Sequence, residues 1–276
     1  MPTPVDPPTP TGITAAARIV AAPNGRGGTA LPTLHGDGPF ALHRSRNTTD
    51  HAEVTIIGAM SAPLGGDHLT LDVTVKAGAH LRIGTATATV ALPSRRRDQA
   101  TYHVHLTADE NTVLHWLPEP LISTAHSDLI TTIRIRLARG ARLLLRERQI
   151  LGRTGEQPGH LVSKLTLHYD DHPLLHQELT VGPDGPGWSG PAILGDHRAL
   201  GQLLIVDPTF RDNPPTVRLL PDTPADAQAV LTPLAGPAIL ITALAPDALR
   251  VQNLLDLSLA SSPEWARTDS YTPPRP

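Results

Sequence analysis

Histidine is the residue type in this sequence that most suggests metal chemistry, because the chain has 14 histidines and no cysteine. Imidazole nitrogens suit zinc, copper and nickel ions. His168, His172 and His176 follow one another at intervals of four residues, which on a helix would place three rings on one face. Pro173 interrupts such a helix, and the flanking residues predict two strands around a turn. We therefore do not expect these three rings to converge on one ion.

Four other histidines are the candidate metal ligands of this chain. They are His80, His103, His105 and His115. The residues at 103 and 105 share one face of a predicted strand, and the other two fall in neighbouring predicted strands. We interpret all four first as exposed polar positions. If nickel or another ion that prefers imidazole contacts this protein, this set is where we would expect it.

The sequence contains no arrangement typical of an enzyme active site. Gly187-Trp188-Ser189-Gly190 lacks the second spacer residue of a nucleophile elbow. The acidic pairs Asp109-Glu110 and Asp170-Asp171 fall in predicted turns, which do not define an acid/base pair. The loop at residues 24–28 lacks the Gly-Lys-Ser/Thr ending of a phosphate-binding loop. We therefore predict no catalytic residues, no cofactor-binding residues and no enzymatic activity.

The elements that must position the polar residues are repeated units of strand, turn and strand. The clearest unit spans residues 128–156, where apolar residues alternate with arginines on both sides of a break at Gly140. Similar units surround Gly78 and Asn111, so the turns recur about every thirty residues. Regular repetition of one unit is typical of layers that stack on one another. We predict an all-β, elongated, β-helix-like body of stacked sheets, with few helices besides one at the C-terminus over residues 247–259.

Composition and charge limit the remaining possibilities. We expect one β-rich domain over residues 12–262, between a disordered leader at 1–11 and a disordered tail at 263–276. The net charge of -3 gives no basic excess for binding nucleic acid, and the Arg95–Arg97 run is interpreted as a solvated loop. No apolar run reaches the roughly 18 residues of a membrane span. We therefore expect a cytoplasmic protein with neither nucleic acid nor membrane as a partner.

Charged residues are concentrated in the unit at residues 128–156. They are Arg134, Arg136, Arg142, Arg146, Glu147, Arg148, Arg153 and Glu156. Arginine on the outer face of alternating strands is often simply solvated. The other interpretations are a polar seam between stacked layers, in which arginine pairs with glutamate, and a surface that faces a partner.

The order of several short motifs resembles that of the UreD family of urease accessory proteins, called UreH in some organisms. The motifs are Gly-Gly-Asp67 with Leu69-Thr-Leu-Asp-Val73, Gly78-Ala-His-Leu81, Leu114-His-Trp-Leu-Pro-Glu-Pro-Leu-Ile122, Gly140-Ala-Arg-Leu143, Leu151-Gly-Arg-Thr-Gly-Glu156, Gly201-Gln-Leu-Leu204 and Leu244-Ala-Pro-Asp-Ala248. The resemblance runs from about Leu34 to Leu259, and the order of the motifs carries it. The chain departs from the family pattern where the segment ending at Val90 leads into the arginine run, and at Glu119-Pro120.

The resemblance implies a non-catalytic scaffold of urease maturation. Members of this family bind a UreF-like protein, which recruits a UreG-like GTPase, and the assembly docks on apo-urease to help deliver nickel. No cofactor is expected to stay bound, and nickel would be present only in transit through an internal tunnel. We expect four charged residues to belong to such a polar interior, because inward polar groups must be paired or hydrated. They are Glu119, Arg134, Glu147 and Glu156.

The surfaces that bind partners are expected in the arginine-rich unit and on the C-terminal helix. The candidates are Arg136, Arg142, Arg146, Arg148, Leu254 and Leu255. The alternative function is a β-solenoid or sandwich enzyme, or a binding module for carbohydrate or another small ligand. An enzyme should show a cleft with convergent carboxylates, whereas a scaffold should show an apolar patch.

Overall fold

The chain is built almost entirely from strands. The computed structural model describes residues 12–45, 51–220 and 224–260. In chain order the strands are β1 (Thr14–Pro23), β2 (Thr29–Gly36), β3 (Phe40–Arg44), β4 (Ala52–Gly58), β5 (His68–Val75), β6 (His80–Thr85), β7 (Thr89–Ala91), β8 (Ala100–Ala108), β9 (Val113–Leu117), β10 (Leu121–Ser123), β11 (Asp128–Leu137), β12 (Arg142–Leu151), β13 (His160–Tyr169), β14 (His172–Val181), β15 (Ala199–Val206), β16 (Arg218–Leu219), β17 (Gln228–Pro233) and β18 (Ala238–Ala245). A short 3-10 helix spans Pro208–Arg211, and the helix α1 spans Ala248–Ala260.

The strands form two sheets that face each other. The first sheet has the order β14-β13-β11-β8-β5-β1-β2. The second has the order β16-β17-β18-β15-β12-β9-β6-β4-β3, and the short strands β7 and β10 pair with each other beside β12. Each coil of the chain runs along the first sheet, turns, runs along the second sheet and returns. This arrangement confirms the predicted all-β, β-helix-like body.

The register of the parallel strands confirms the predicted repeat. His68 of β5 lies opposite Thr101 of β8, and Ala100 of β8 lies opposite Leu129 of β11, so successive coils are offset by 33 and 29 residues. Parallel strands joined by turns of equal geometry stack in this way because each coil pairs its backbone with the next.

The turns between the two sheets also lie above one another. Gly78, Asn111 and Gly140 all have positive φ, at 74°, 52° and 78°. Gly78 N donates to Glu110 O of the next turn at 3.1 Å. A Cβ at Gly140 would clash with the side chain of Asn111. Glycine is therefore required at this turn for conformation and for space.

The C-terminal helix packs on the outer face of the second sheet. The amide of Arg250 donates to Asp247 Oδ1 at 2.9 Å, which confirms Asp247 as the cap of α1. Val251 and Leu255 are fully buried against Gly201 of β15, where a Cβ would lie 2.7 Å from Val251 Cγ2. The helix approaches this closely only because position 201 carries no side chain.

The terminal segments that were predicted as a leader and a tail lie outside the described residues. None of the helices within the described ranges is long and apolar enough to cross a membrane.

Candidate functional site

Strand β12 carries two polar residues on the face that it turns toward the first sheet. Leu143 and Leu145 of this strand are buried in the space between the sheets. Because side chains alternate along a strand, Glu147 and Gln149 point into the same space. A carboxyl group in this position is unusual, since burying a charge is costly.

Polar residues of neighbouring strands meet Glu147 and Gln149. On β11, Thr131 lies between Leu129 and Ile133, which belong to two different apolar cores. Its register partners, Ser163 on β13 and Tyr102 on β8, are polar as well. We call this set the polar layer, and its members are Tyr102, Thr131, Glu147, Gln149, Ser163 and Gln202. The polar layer separates the two apolar cores between the sheets.

Hydrogen bonds cross the polar layer from one sheet to the other. Gln149 Nε2 donates to Ser163 Oγ at 2.7 Å. Gln202, which lies opposite Glu147 in the second sheet, donates from Nε2 to Gln177 Oε1 at 3.1 Å. These bonds fix the glutamine amides, since buried polar groups need partners.

A small cavity of about 50 Å³ lies within the polar layer beside Glu147. Tyr102 and Thr131 line it from the first sheet, and Trp116 lines it from the second. The indole Nε1 of Trp116 and the Oε1 of Gln149 are buried, and neither has a hydrogen-bond partner in the described part of the chain. Buried polar atoms of this kind usually contact water or a ligand, and the cavity has room for either on a small scale.

Burial changes the protonation of two groups in this cavity. It raises the pKa of the Glu147 carboxyl to about 7. It also raises the pKa of the Tyr102 hydroxyl, so that this group stays protonated and can donate a hydrogen bond. Near neutral pH, Glu147 therefore exchanges between a neutral acid and a carboxylate that could hold a cation.

A buried ion pair forms the rim of the cavity. Arg148 Nη2 donates to Glu119 Oε2 at 3.0 Å, while its Nη1 donates to Gln252 Oε1 of α1 at 2.7 Å. The Glu119 amide donates to Thr85 Oγ1 at 2.9 Å. The carboxyl of Glu119 is 37% exposed, whereas the guanidinium side of the pair is 2% exposed. The rim thus connects the cavity to both solvent and the C-terminal helix.

The cavity adjoins a larger surface slot of about 390 Å³. Thr85, Thr89 and Tyr102 line both spaces. The slot is bounded on one side by residues 58–63 and on the other by residues 85–92. The slot therefore adjoins the cavity in the polar layer.

Of the four residues predicted for a polar interior, the structure brings two together. Glu147 and Glu119 line the same cavity. Arg134 lies instead on the exposed outer face of the first sheet, with Nη1 3.3 Å from His105 Nε2, because it is out of phase with Ile133 on its strand. Glu156 lies in the loop after β12, where hydrogen bonds from the side chain and backbone of Arg153 lower its pKa to about 2.

The candidate metal ligands fall into two pairs on different surfaces. The rings of His103 and His105 stack at 6.4 Å on the outer face of the first sheet. His80 and His115 line a cleft of about 460 Å³ on the second sheet. Burial, and then the nearby Arg82, lower the pKa of His115 to about 4. Across residues 12–45, 51–220 and 224–260 there is no group of three or more metal-binding side chains with suitable spacing.

Most of the candidate partner-binding residues contact the chain itself. Arg136 is exposed on the first sheet, and Arg142 lies 3.7 Å from Asp207. Arg146 and Arg148 are buried beneath α1, where the Arg146 guanidinium lies 3.5 Å from Asp256. Leu254 and Leu255 are buried on the inner side of the helix. Arg146 and Arg148 thus contact residues of α1, and the role of the arginines toward partners stays a prediction.

Sequence reasoning missed Tyr102, Thr131, Gln149 and Gln202 as parts of the site. The available signal was the alternation of the strands, since each of these residues falls on the same strand face as buried apolar residues. A polar residue in phase with the apolar face of a strand is a better marker of an internal site than charge density along the sequence.

Comparisons with known proteins identify relatives over most of the chain. The sequence profile of the family described as "UreD urease accessory protein" matches residues 14–275. The chain is 52% identical over 251 residues to the urease accessory protein UreD of Streptomyces coelicolor, covering 91% of this chain and 97% of that protein. It is 55% identical over 245 residues to UreD 2 of Saccharopolyspora erythraea, covering 89% and 86%. A more distant relative, UreD of Frankia casuarinae, is 34% identical over 278 residues, covering 88% and 86%.

Proposed function

The chain belongs to the UreD family of urease accessory proteins, and from this premise we propose that it is a non-catalytic scaffold for urease maturation. In this role it binds UreF-like and UreG-like proteins and apo-urease, and it helps deliver nickel to the urease active site. Nickel is the cargo of the assembly and occupies this chain only in transit.

The observation that carries the proposal is the polar layer between the two apolar cores that lie on either side of Thr131 between the sheets. A chain that served only as a mechanical support would gain stability from an apolar residue in place of Glu147. Instead, the carboxyl lies beside a small cavity, with the donors Tyr102 and Trp116 around it. The Glu147 carboxylate and the Tyr102 hydroxyl oxygen can contact a divalent cation that has lost most of its water, whereas the Trp116 N–H can only donate to the carboxylate or to water.

The raised pKa of Glu147 suits a cation that passes through the cavity better than one that stays bound there. A carboxyl with a pKa of about 7 is partly protonated and partly ionised near neutral pH, so a cation can compete with the proton for it. A cation that enters the cavity would displace the proton, and a proton that returns would release the cation. Glu119 at the rim supplies a second carboxylate, and the pair together is a weaker ligand set than a resident nickel site requires.

The non-catalytic part of the proposal is supported by the geometry of the carboxyl groups. The two carboxyl groups of the cavity have different surroundings, since Glu119 is paired with Arg148 at the rim and Glu147 is half-buried between the sheets. In the described part of the chain, neither faces a serine or histidine in the cavity lining. Among the residues that the structure describes, the lining of the other large cleft, which contains His80 and His115, includes no carboxylate. These arrangements favour the scaffold over the carbohydrate-active alternative.

The proposal is tested by expressing the chain together with its UreF-like and UreG-like partners and urease. The variant Glu147→Gln keeps the shape of the side chain but cannot exchange a proton or hold a cation. We expect it to co-purify with the same partners while the urease contains several-fold less nickel. Glu178→Gln, an exposed carboxylate paired with Lys164 at 3.0 Å, is the matched control.

Two results would contradict the proposal at different levels. If urease matured with Glu147→Gln contained the same nickel as with the wild-type chain, passage beside Glu147 would be excluded. If the folded wild-type chain formed no complex with any of these partners, the scaffold function itself would be excluded.

A further inference from the structure

The surface slot beside β7 is a gap in the second sheet. The chain leaves the sheet at Gly58, where β4 ends, and returns at Leu64, which forms a parallel bridge with Leu92. Between these points residues 60–63 line one side of the slot. In the described part of the chain, β7 pairs with β10 on one edge only. The other edge of β7 faces the slot.

The hydrogen bonds of β7 show which backbone groups face this gap. Thr89 N donates to Pro120 O at 2.9 Å, and Ala91 O accepts from Thr124 N at 3.4 Å, both on the β10 side. Backbone groups alternate between the two edges of a strand. The N–H and C=O of Val90 therefore point to the opposite edge, into the slot. A buried or half-buried strand edge with such groups is a template for one more strand.

The walls of the slot are mainly apolar. Phe40, Ile56, Pro63 and Leu92 line it, together with Met60. The side chain of Met60 is flexible, and the residue is 52% exposed. Methionine adapts its shape to different apolar partners. A slot of about 390 Å³ with these walls can accept one or two apolar side chains of a bound segment.

A cluster of positive charge lies at the end of the slot. Arg95, Arg96 and Arg97 are all exposed in the loop that begins shortly after Leu92. Gly65 N donates to Leu92 O at 3.1 Å, which holds the start of this loop against the bridge that closes the slot. Charge complementarity therefore favours an occupant that carries acidic residues next to its apolar ones.

We propose that this slot binds an extended, acidic segment of a protein that assembles with this chain during urease maturation. The segment adds a short strand to the free edge of β7, with hydrogen bonds to Val90. It places an apolar side chain between Met60 and Phe40, and its acidic residues face Arg95–Arg97. The inference rests on the proposed scaffold function and adds a location and a mode of binding.

Binding at this place has a consequence for the polar layer. The slot and the inner cavity share Thr85, Thr89 and Tyr102 in their linings. A strand added to β7 would therefore cover the opening toward Glu147. The partner that docks here controls access of water and ions to the polar layer.

Hydrogen–deuterium exchange on the complex tests the inference directly. The complexes measured are those of the wild-type chain with its UreF-like partner and with apo-urease. We expect the Val90 amide to exchange rapidly in the free chain and at least tenfold more slowly in one of the complexes, because it gains a hydrogen bond. The amide of Thr89, which is bonded inside the chain, should be protected in both states.

Two sets of variants test the hydrogen bond and the charge separately. Val90→Pro removes the free N–H and should weaken the complex roughly tenfold, whereas Val90→Ala keeps the N–H and should weaken it less. Arg95→Glu/Arg96→Glu should weaken the complex roughly tenfold at low salt and less at high salt. Arg18→Glu/Arg26→Glu changes the same charge at exposed positions on β1 and in the loop after it, and should leave the complex unchanged.

The outcomes separate this inference from the function on which it rests. A stable complex in which Val90 exchanges as fast as in the free chain would overturn the inference and leave the scaffold function intact. Protection of Val90 in a dimer of this chain without partners would show that a second copy occupies the slot and would also overturn it. The absence of any complex would remove the scaffold function and this inference together.

Discussion

Arg148 and Glu119 form a hydrogen-bonded ion pair of 3.0 Å between the second sheet and the rim of the inner cavity. The same guanidinium donates to Gln252 of α1 at 2.7 Å and to Pro118 O at 3.3 Å. One buried arginine therefore holds the rim, the sheet and the C-terminal helix in one arrangement. This makes α1 part of the structure around the polar layer.

Replacing Arg148 is expected to destabilise both the fold and the rim. Arg148→Ala leaves the Gln252 amide and the Pro118 carbonyl without a donor and creates a cavity beneath α1. We expect the free energy of unfolding to fall by about 3 kcal/mol in urea titrations. Arg153→Ala removes an exposed pair with Glu156 and should change the free energy of unfolding much less. Equal losses for the two variants would contradict this account.

The stability of the protein should depend on pH through Glu147. Its folded pKa of about 7 lies above the ordinary value of 4.5, so the folded state keeps a proton that the unfolded state releases. The resulting stability is complete below pH 4.5 and is lost as the pH rises from about 4.5 to about 7. Glu147→Gln should remove this loss. We expect the variant to match the wild type at pH 4.5 and to exceed it by up to about 3 kcal/mol at pH 8.

The control for this pH dependence is Glu178→Gln, in an exposed pair with Lys164. Its stability difference from the wild type should be small at both pH values. A wild-type chain whose stability does not fall between pH 4.5 and 7, relative to Glu147→Gln, would show that the carboxyl is solvated rather than buried.

Periodicity along the chain was sufficient to predict the fold. The alternation around Gly140 and the recurrence of turns at Gly78 and Asn111 predicted stacked coils, and the register of β5, β8 and β11 confirms them. Asp247 and the apolar spacing after it predicted the helix. These signals are local, because strand alternation, turn conformation and helix capping depend on residues that are close in sequence.

The candidate site could be predicted only in part, because it depends on which strands become neighbours. Glu119 and Glu147 come from different coils, and no local pattern shows that they line one cavity. Arg134 was grouped with them because it is charged. It directly follows the buried Ile133 on β11, so its side chain points to the outer face of the sheet. The burial of Arg146 and Arg148 follows from the position of α1, which contacts them across about a hundred residues of sequence.

The stacked turns allow the steric role of a glycine to be separated from its conformational role. Gly140 and Gly155 have similar φ, at 78° and 75°. A Cβ at Gly140 would clash with Asn111, whereas a Cβ at Gly155 would meet nothing within 4 Å. Both alanine variants should lose about 1 kcal/mol from the positive φ. Gly140→Ala should lose more, measured by urea denaturation, because the Asn111 side chain has to move, and equal losses would show that it moves at little cost.

The two sides of α1 should behave differently in stability and in binding. Leu255 is fully buried against the second sheet, whereas Leu249 is 67% exposed on the same helix. Leu255→Ala should lower the free energy of unfolding by about 3 kcal/mol, because it creates a cavity beside Val251 and Gly201. Leu249→Ala should change it by less than about 0.5 kcal/mol.

If a partner binds this helix, the exposed variant should weaken the complex while stability stays the same. A complex that is unaffected by Leu249→Ala, in a chain of unchanged stability, would place the interface elsewhere and leave the slot beside β7 as the stronger candidate.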